Sequence, residues 1–246
     1  MRIGVFDSGI GGLTVLKELV RKYPNNEYIY VGDNLNVPYG EKNKNELFSL
    51  SAKIIDYLLL KKIDIIIIAC GTVSSNIKDE LIRKYSIPII DIITPTISYI
   101  KENRYKKIGI LATHMTIKSK VFENNLENIE TLCTEAPKLV PAIENNNIND
   151  INECLSLYLN KYLDQDIDTL VLGCTHYPII EDYIRGYLSN KVKMLNMAIP
   201  ILNNIKLTNE SKKSVVISFT ELNNDIINNT KRILCDIDYV IKSIAL

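Results

Sequence analysis

Residues Ile65–Ala69 read IIIIA and run straight into Cys70, Gly71 and Thr72. The run has no polar alternation, so neither of its faces can meet water. It is also too short to be a helix in its own right. It fits a strand over Asp64–Ala69 in a parallel sheet covered on both sides. A chain built on such a strand must supply helices to both faces of the sheet, which confines it to the α/β class. The strand also ends on a thiol followed by small polar residues, and a second apolar run, LVLGCTHYP at Leu170–Pro178, does the same at Cys174.

The rest of the chain alternates strand and helix signals. RIGVFD and EYIYVGD read as strands, the first followed by a Gly-rich turn and a helix with Leu13, Leu16, Leu19 and Val20 on one face. Helical spacing follows over Leu47–Leu60, Ser74–Tyr85 and Thr94–Asn103, with the strand IPIIDII between the last two. KKIGILAT resembles the opening MRIGVFDS, and each leads into a polar loop. A helix from about Lys118, a strand ETLCTEAP, a polar loop AIENNNINDINE, a helix over Asp150–Leu163 and the Cys174 strand come next. A helix from about Ile180, strands VKMLNM and KKSVVISF and a helix LNNDIINNTKRIL close the chain. The expected architecture is two pseudo-symmetric, doubly wound domains with parallel sheets and a site in the cleft between them. The expected division is 1–93 plus 206–246, and 94–205. In such sheets ligands bind beyond the carboxyl ends of the strands, and DSG, GDN, CGT, AT and CTH all fall there.

Lys+Arg and Asp+Glu both number 29, so no general attraction to nucleic acid or anionic membrane is expected. No apolar run approaches the ~18 residues of a membrane span. Asp7 interrupts any signal-like segment at the start, and the expected location is the cytoplasm. The cysteines, at 70, 133, 154, 174 and 235, are odd in number and lack C-x-x-C spacing. That argues against a disulfide framework or a zinc site.

Cys70 and Cys174 are candidate proton carriers, because a helix start beyond each can lower a thiol pKa. Each can equally be a buried apolar side chain. His176, two residues after Cys174, can carry a proton or make a strand-end hydrogen bond. In DSGIGG, Asp7–Gly12, the glycines can bring backbone N–H groups to an anion, or Asp7 can cap the next helix. Asp33 and Glu144 are carboxylates at a strand end and in a loop, the latter readable as solvated surface. Ser8, Tyr39, Gly40, Thr72, Thr116 and Thr175 offer hydroxyls and N–H groups to a small ligand with one or two carboxylates. No cofactor motif or metal-ligand cluster is visible.

The segments IGVFDSGIGGLTVLKEL, YVGDNLNVPYGEKN, IIACGTVSSN, IGILATHMTIKS, LVPAIE and LVLGCTHYPII resemble, in order, those of the cofactor-independent glutamate racemases. The resemblance covers about Ile3–Glu181, and VVISFTELNND resembles the family's closing strand and helix. It implies interconversion of L- and D-glutamate for peptidoglycan, with no cofactor, metal, nucleic-acid or membrane partner, and a possible homodimer. It implies Cys70 and Cys174 as the catalytic thiols, supported by Asp7 and His176, with Asp33 and Glu144 as further acidic residues. It places Asp7, Ser8, Pro38, Tyr39, Gly40, Gly71, Thr72, Thr116, Thr175 and His176 against the substrate. Two bases suit the reaction, since a proton must leave one face of the α-carbon and another arrive on the opposite face.

Two departures stand out. The family usually has Asn after its first cysteine, where this chain has Gly71, so a side-chain amide is missing and the pocket is expected to be re-shaped. The family often has Asp-Ser or Asp-Pro where this chain has Asn196 and Met197. Gly71 motivates an alternative, a racemase of aspartate or of several acidic amino acids. A non-catalytic amino-acid-binding protein on the same fold is the reading from another class.

Overall fold

The computed structural model describes residues 1–189, 191–208 and 212–246. Its strands are β1 (Arg2–Asp7), β2 (Glu27–Gly32), β3 (Ile65–Ile68), β4 (Ile89–Asp91), β5 (Lys107–Ala112), β6 (Glu130–Glu135), β7 (Thr169–Leu172), β8 (Met194–Asn196), β9 (Ser214–Phe219) and β10 (Val240–Ser243). Among the described residues they form two sheets, ordered β10-β9-β2-β1-β3-β4 and β6-β5-β7-β8. Every pairing is parallel.

The two sheets repeat one pattern. β1 lies between β2 and β3, and β5 lies between β6 and β7. β3 and β7 are therefore equivalent, the third strand of each sheet. Ile68 pairs with Phe6, and Leu172 pairs with Leu111. The late strand β9 joins the first sheet beside β2, from Glu27↔Ser214 to Gly32↔Phe219.

The isoleucine run shows why both faces had to be apolar. Ile65, Ile67 and Ala69 enter a core shared by the two sheets, with Val5, Ile110 and Val171. Ile66, Ile68 and Cys70 enter a separate core beyond the first sheet. Leu170, Leu172 and Cys174 do the same beyond the second. Helices Leu13–Lys22, Ile93–Glu102 and Ala198–Asn204 contribute buried residues to the shared core. These three cores bury both faces of each sheet, the condition under which parallel sheets are stable.

Several boundaries differ from the expected ones. The helix expected over Ser74–Tyr85 is two, Gly71–Asn76 and Lys78–Lys84, broken at Ile77. The helix expected from Lys118 is His114–Lys118 and Val121–Asn125, parted by Lys120 at φ 53°. The expected loop AIENNNINDINE is largely helical, since Leu139–Glu144 is a helix and Ile148–Leu159 begins early. Pro141 reads as a breaker but sits in the first turn, where its missing N–H costs no hydrogen bond. Asn147 starts the second of these helices by accepting the Asn149 N–H at 3.1 Å. The helix Lys44–Leu59 starts before Leu47 because Asn43 and Glu46 form a reciprocal capping box. β10 was not expected. It is an edge strand and largely exposed.

Candidate active site

Cys70 and Cys174 each stand two residues beyond equivalent strands, so the repeated sheet pattern delivers both thiols to one seam. Between them lies a cavity of about 20 Å³, lined by Ser8, Pro38, Tyr39, Gly40, Cys70, Gly71, Thr72, Thr113, Val140, Gly173, Cys174, Thr175 and His176. Contacts cross the seam around it. Thr72 and Thr113 hydroxyls share a hydrogen bond at 2.9 Å. The Thr14 hydroxyl donates to the Thr175 carbonyl at 3.1 Å.

Cys70 is 4% exposed and sits as the N-cap of helix Gly71–Asn76. Its Sγ donates to the Ser8 Oγ at 3.9 Å. Burial pushes the thiol well above its ordinary value and the Asp7 carboxylate adds to this, while the Val73 N–H offsets part of it. Of the two readings open for Cys70, its surroundings favour the buried side chain over a lowered thiol. One short helix start is outweighed by desolvation and a nearby negative charge.

Cys174 has different neighbours. Its Sγ is 3.7 Å from His176 Nδ1. The other ring nitrogen, Nε2, is 2.6 Å from Glu144 Oε1. His176 is 1% exposed and Glu144 13% at the side chain. Burial works against charge on His176, but hydrogen bonds and charge from Cys174 and Glu144 outweigh it and hold the imidazole well above its ordinary pKa. Glu144 is therefore not solvated surface. It ends the helix Leu139–Glu144 and reaches across the seam, accepting the Ile10 N–H at 3.3 Å.

In the glycine-rich turn, two backbone N–H groups are taken by the chain's own carboxylate. Asp7 Oδ2 accepts the Gly12 N–H at 2.9 Å and the Gly9 N–H at 3.3 Å. The anion is the chain's own. Burial pushes the Asp7 carboxyl above its usual value, against the His176 charge and the backbone donors. Gly11 makes room for the far side of the seam, since a Cβ there would lie 2.4 Å from His176 Nδ1 and 2.5 Å from Thr175 Oγ1. The Thr175 hydroxyl donates to Asp7 Oδ1 at 3.3 Å.

Asp33 and Thr116 stand one layer back. Asp33 accepts the Tyr39 hydroxyl at 2.6 Å, the Thr220 hydroxyl at 2.8 Å and the Asn36 amide at 2.9 Å. It reaches the cavity only through Tyr39. Thr116 accepts from the Thr113 hydroxyl at 3.0 Å, and Thr113 rather than Thr116 lines the cavity. Thr113, Val140 and Gly173 are lining residues that sequence reasoning missed. Thr113 had a visible signal, the polar end of ILAT, whose strand β5 is equivalent to β1. Asn196 Oδ1 accepts the Ala198 N–H at 2.9 Å and so does the capping work of an Asp at that position. Among the described residues, no group of three or more His, Cys, Asp or Glu side chains is placed to hold a metal ion, and no helix is long and apolar enough to cross a membrane.

Two thiols thus stand at matched strand ends on one cavity, Cys70 near Asp7 and Cys174 beside His176, a site of the kind an isomerase with two proton carriers would need. The family model for Asp/Glu/hydantoin racemases matches residues 3–201. A glutamate racemase of Hydrogenobaculum sp. is 36% identical, over 100% of this chain and 99% of that one. One from Prochlorococcus marinus is 40% identical over 87% of this chain and 82% of its own. The crystal structure of glutamate racemase from Francisella tularensis in complex with D-glutamate superposes with a TM-score of 0.86 at 29% identity, covering 99% and 97% of the two chains. The chain belongs to the Asp/Glu/hydantoin racemase family.

Proposed function

We propose that the protein interconverts L- and D-glutamate by a two-thiol, cofactor-free mechanism. The observation that carries this reading is the placement of Cys70 and Cys174 at equivalent strand ends on one cavity. One sulfur, as thiolate, takes the α-proton from one face of the substrate. The other, as thiol, returns a proton to the opposite face. The pair ends with its protonation exchanged, ready for the reverse direction. His176, held charged by Glu144, stores the proton beside Cys174. Ser8, Thr72 and Thr175 hydroxyls and the backbone N–H groups at the strand ends meet the substrate carboxylates and the charge that develops on the α-carboxylate.

A cavity of about 20 Å³ holds roughly one water. Admitting glutamate therefore requires the seam to part. The contacts that cross it beside the cavity are hydrogen bonds, among them Thr72–Thr113 and Thr14–Thr175, and the carboxylate contacts Glu144–Ile10 and Asp7–Thr175, and these are what must give way or stretch when substrate enters. We place the dividing lines at 1–93 plus 206–246 and 94–205. The free cysteines support a reducing, cytoplasmic setting, and the family resemblance supports the supply of D-glutamate for peptidoglycan and a homodimer.

The aspartate reading loses its first motive. The room left by the missing side chain at Gly71 is taken up by the Gly173 carbonyl, so it does not enlarge the pocket. The test is proton NMR of L-glutamate in D2O with circular dichroism, with L-aspartate in parallel and no added cofactor. Loss of the α-proton signal together with optical activity is the expected result for glutamate. Faster turnover of aspartate would shift the reading to the alternative, and no exchange with either would leave a binding protein.

A further inference from the structure

The turn that follows β1 is held by the neighbouring strand. Tyr30, on β2, is fully buried, and its hydroxyl donates to the Gly9 carbonyl at 2.6 Å. The same oxygen would lie 2.8 Å from a Cβ on Gly12. The hydroxyl therefore sits inside the turn, against Gly9 on one side and Gly12 on the other. The Asp7 carboxylate takes the N–H groups of the same two residues. The Tyr30 ring is fixed in its turn by Phe219 of β9, edge to face with centroids 5.9 Å apart. Burial, reinforced by the Asp7 carboxylate, holds the phenol well above its ordinary pKa, so the hydroxyl keeps the proton that it donates. β1, β2 and β9 all belong to the first sheet. None of these hydrogen bonds crosses the seam, and none has to break when substrate enters.

We infer that Tyr30 is a positioning residue of the reaction: its hydroxyl fixes the turn that presents Ser8 to Cys70 and to the substrate. Ser8 precedes Gly9 and lines the cavity, and its Oγ accepts from the Cys70 thiol at 3.9 Å. The inference rests on the two-thiol reading proposed above. Without the hydroxyl, the buried Gly9 carbonyl loses this donor, and a buried acceptor left unpaired is costly. The turn relieves that cost by shifting towards another donor, and Ser8 moves with it. A 1 Å misplacement at a reacting centre costs on the order of 10²-fold in rate, so a shift of a few tenths of that is felt. Tyr28 supplies the comparison. It lies two residues earlier on the same strand, on the same face, and is equally buried. Its hydroxyl donates to the Leu19 and Tyr23 carbonyls at 3.0 and 2.9 Å, at the last turn of helix Leu13–Lys22 and away from the cavity.

The experiment compares the wild type with Tyr30→Phe, Tyr28→Phe, Ser8→Ala and the double variant Y30F/S8A. It measures racemisation kcat and KM for both enantiomers of glutamate, and thermal unfolding. Y30F keeps the ring and its contact with Phe219. It should lower kcat by roughly ten-fold, with KM changed far less. Y28F also loses a buried hydroxyl, so it should lower the thermal midpoint, but it should keep the wild-type kcat. S8A should lower kcat. Y30F/S8A should fall well short of the product of the two single losses, because Tyr30 acts through Ser8. Wild-type kcat in Y30F or in S8A, an equal loss of kcat in Y28F, or losses that multiply in the double variant would overturn the inference. So would a Y30F protein that does not fold, which would place the hydroxyl's contribution in stability alone. Wild-type protein that racemises neither enantiomer would instead overturn the functional reading, and this inference with it.

Discussion

His176 Nε2 lies 2.6 Å from Glu144 Oε1, and the same oxygen accepts the Ile10 N–H from the far side of the seam. The proton partner of Cys174 is thus fixed by a carboxylate that also ties the two halves of the site together. Replacing Glu144 by Gln should weaken both functions. Hydrogen bonds to charged groups are worth about 1.5–3 kcal/mol, so kcat should fall roughly 10- to 100-fold. His176 has a folded pKa above its unfolded value. The stability from its pairing is therefore full below about pH 6.5 and fades as the pH rises through the folded value. The gap in thermal midpoint between wild type and E144Q should be widest near the low end of that window and narrow on raising the pH. A gap that widens with pH would contradict this assignment.

Cys70→Ala and Cys174→Ala should each abolish racemisation while leaving the fold intact, because each sulfur serves one face of the α-carbon. Groups that act as a unit are strongly non-additive. The double variant should therefore be no less active than either single one, within the background rate. Circular dichroism of glutamate gives the rate, and a melting curve gives the control. Substantial racemisation by either single variant would rule out a two-base mechanism.

Much of this arrangement was legible in the sequence. IIIIACGT and LVLGCTHYP exposed both thiols, because a buried strand that ends in a reactive side chain is written in one short segment. The parallel sheets followed from the same runs. What was not legible depends on contacts between distant segments. Taken by itself Glu144 could be surface, and only the family resemblance pointed it to the site, because its partner His176 is 32 residues away. Asp33 read as a direct participant, but its distance from the cavity is set by Tyr39 folding between. Thr113 was passed over for Thr116, three residues on, because the turn of helix that hides one and presents the other cannot be read from composition. For Cys70 the sequence left a helix start and burial pulling in opposite directions, and which of them prevails depends on how deep the thiol sits.

Gly11→Ala should act at a distance from the thiols in sequence but not in space. Its Cβ would fall 2.4 Å from His176 Nδ1, so the imidazole must turn away from Cys174 or the turn must retreat. Activity should fall by on the order of 10²-fold, with a smaller effect on folding than on rate. The histidine ring signals in an NMR pH titration should move as well. Unchanged His176 titration in an active G11A protein would show that the ring is not held as described.

Asp33→Asn tests the layer behind the cavity. The carboxylate gathers donors from Tyr39, Thr220 and Asn36, and an amide can satisfy fewer of them. Leaving one of these donors unpaired costs about 1–3 kcal/mol. Tyr39 lines the cavity, so the change should raise KM and lower kcat modestly, far less than loss of either thiol. Tyr39→Phe should reproduce the effect, and the double variant should add little, since both break the same bond. A D33N loss as large as that of C70A, not matched by Y39F, would return Asp33 to a direct catalytic role.

Asp7 is the residue where function and stability are expected to oppose each other. Its carboxyl is buried, and its pKa is raised by that burial despite the Gly12 and Gly9 donors and the nearby His176 charge. For a group whose folded pKa lies above the unfolded one, the favourable contribution is complete below the unfolded value, about 3.9, and is lost as the pH rises through the folded value. Near pH 8 the ionised form is therefore a burden on the fold. Asn at this position keeps an oxygen to accept the Gly12 N–H and removes the charge. Asp7→Asn should raise the melting temperature at pH 8 by roughly 2–4 °C for each kcal/mol relieved, and the gain should shrink towards pH 4. The same change should lower kcat, because it removes a charge that raises the basicity of Cys70 and interacts with His176. A D7N protein that melts lower than wild type at pH 8 would show that the carboxylate's hydrogen bonds, rather than its desolvation, dominate its contribution to the fold.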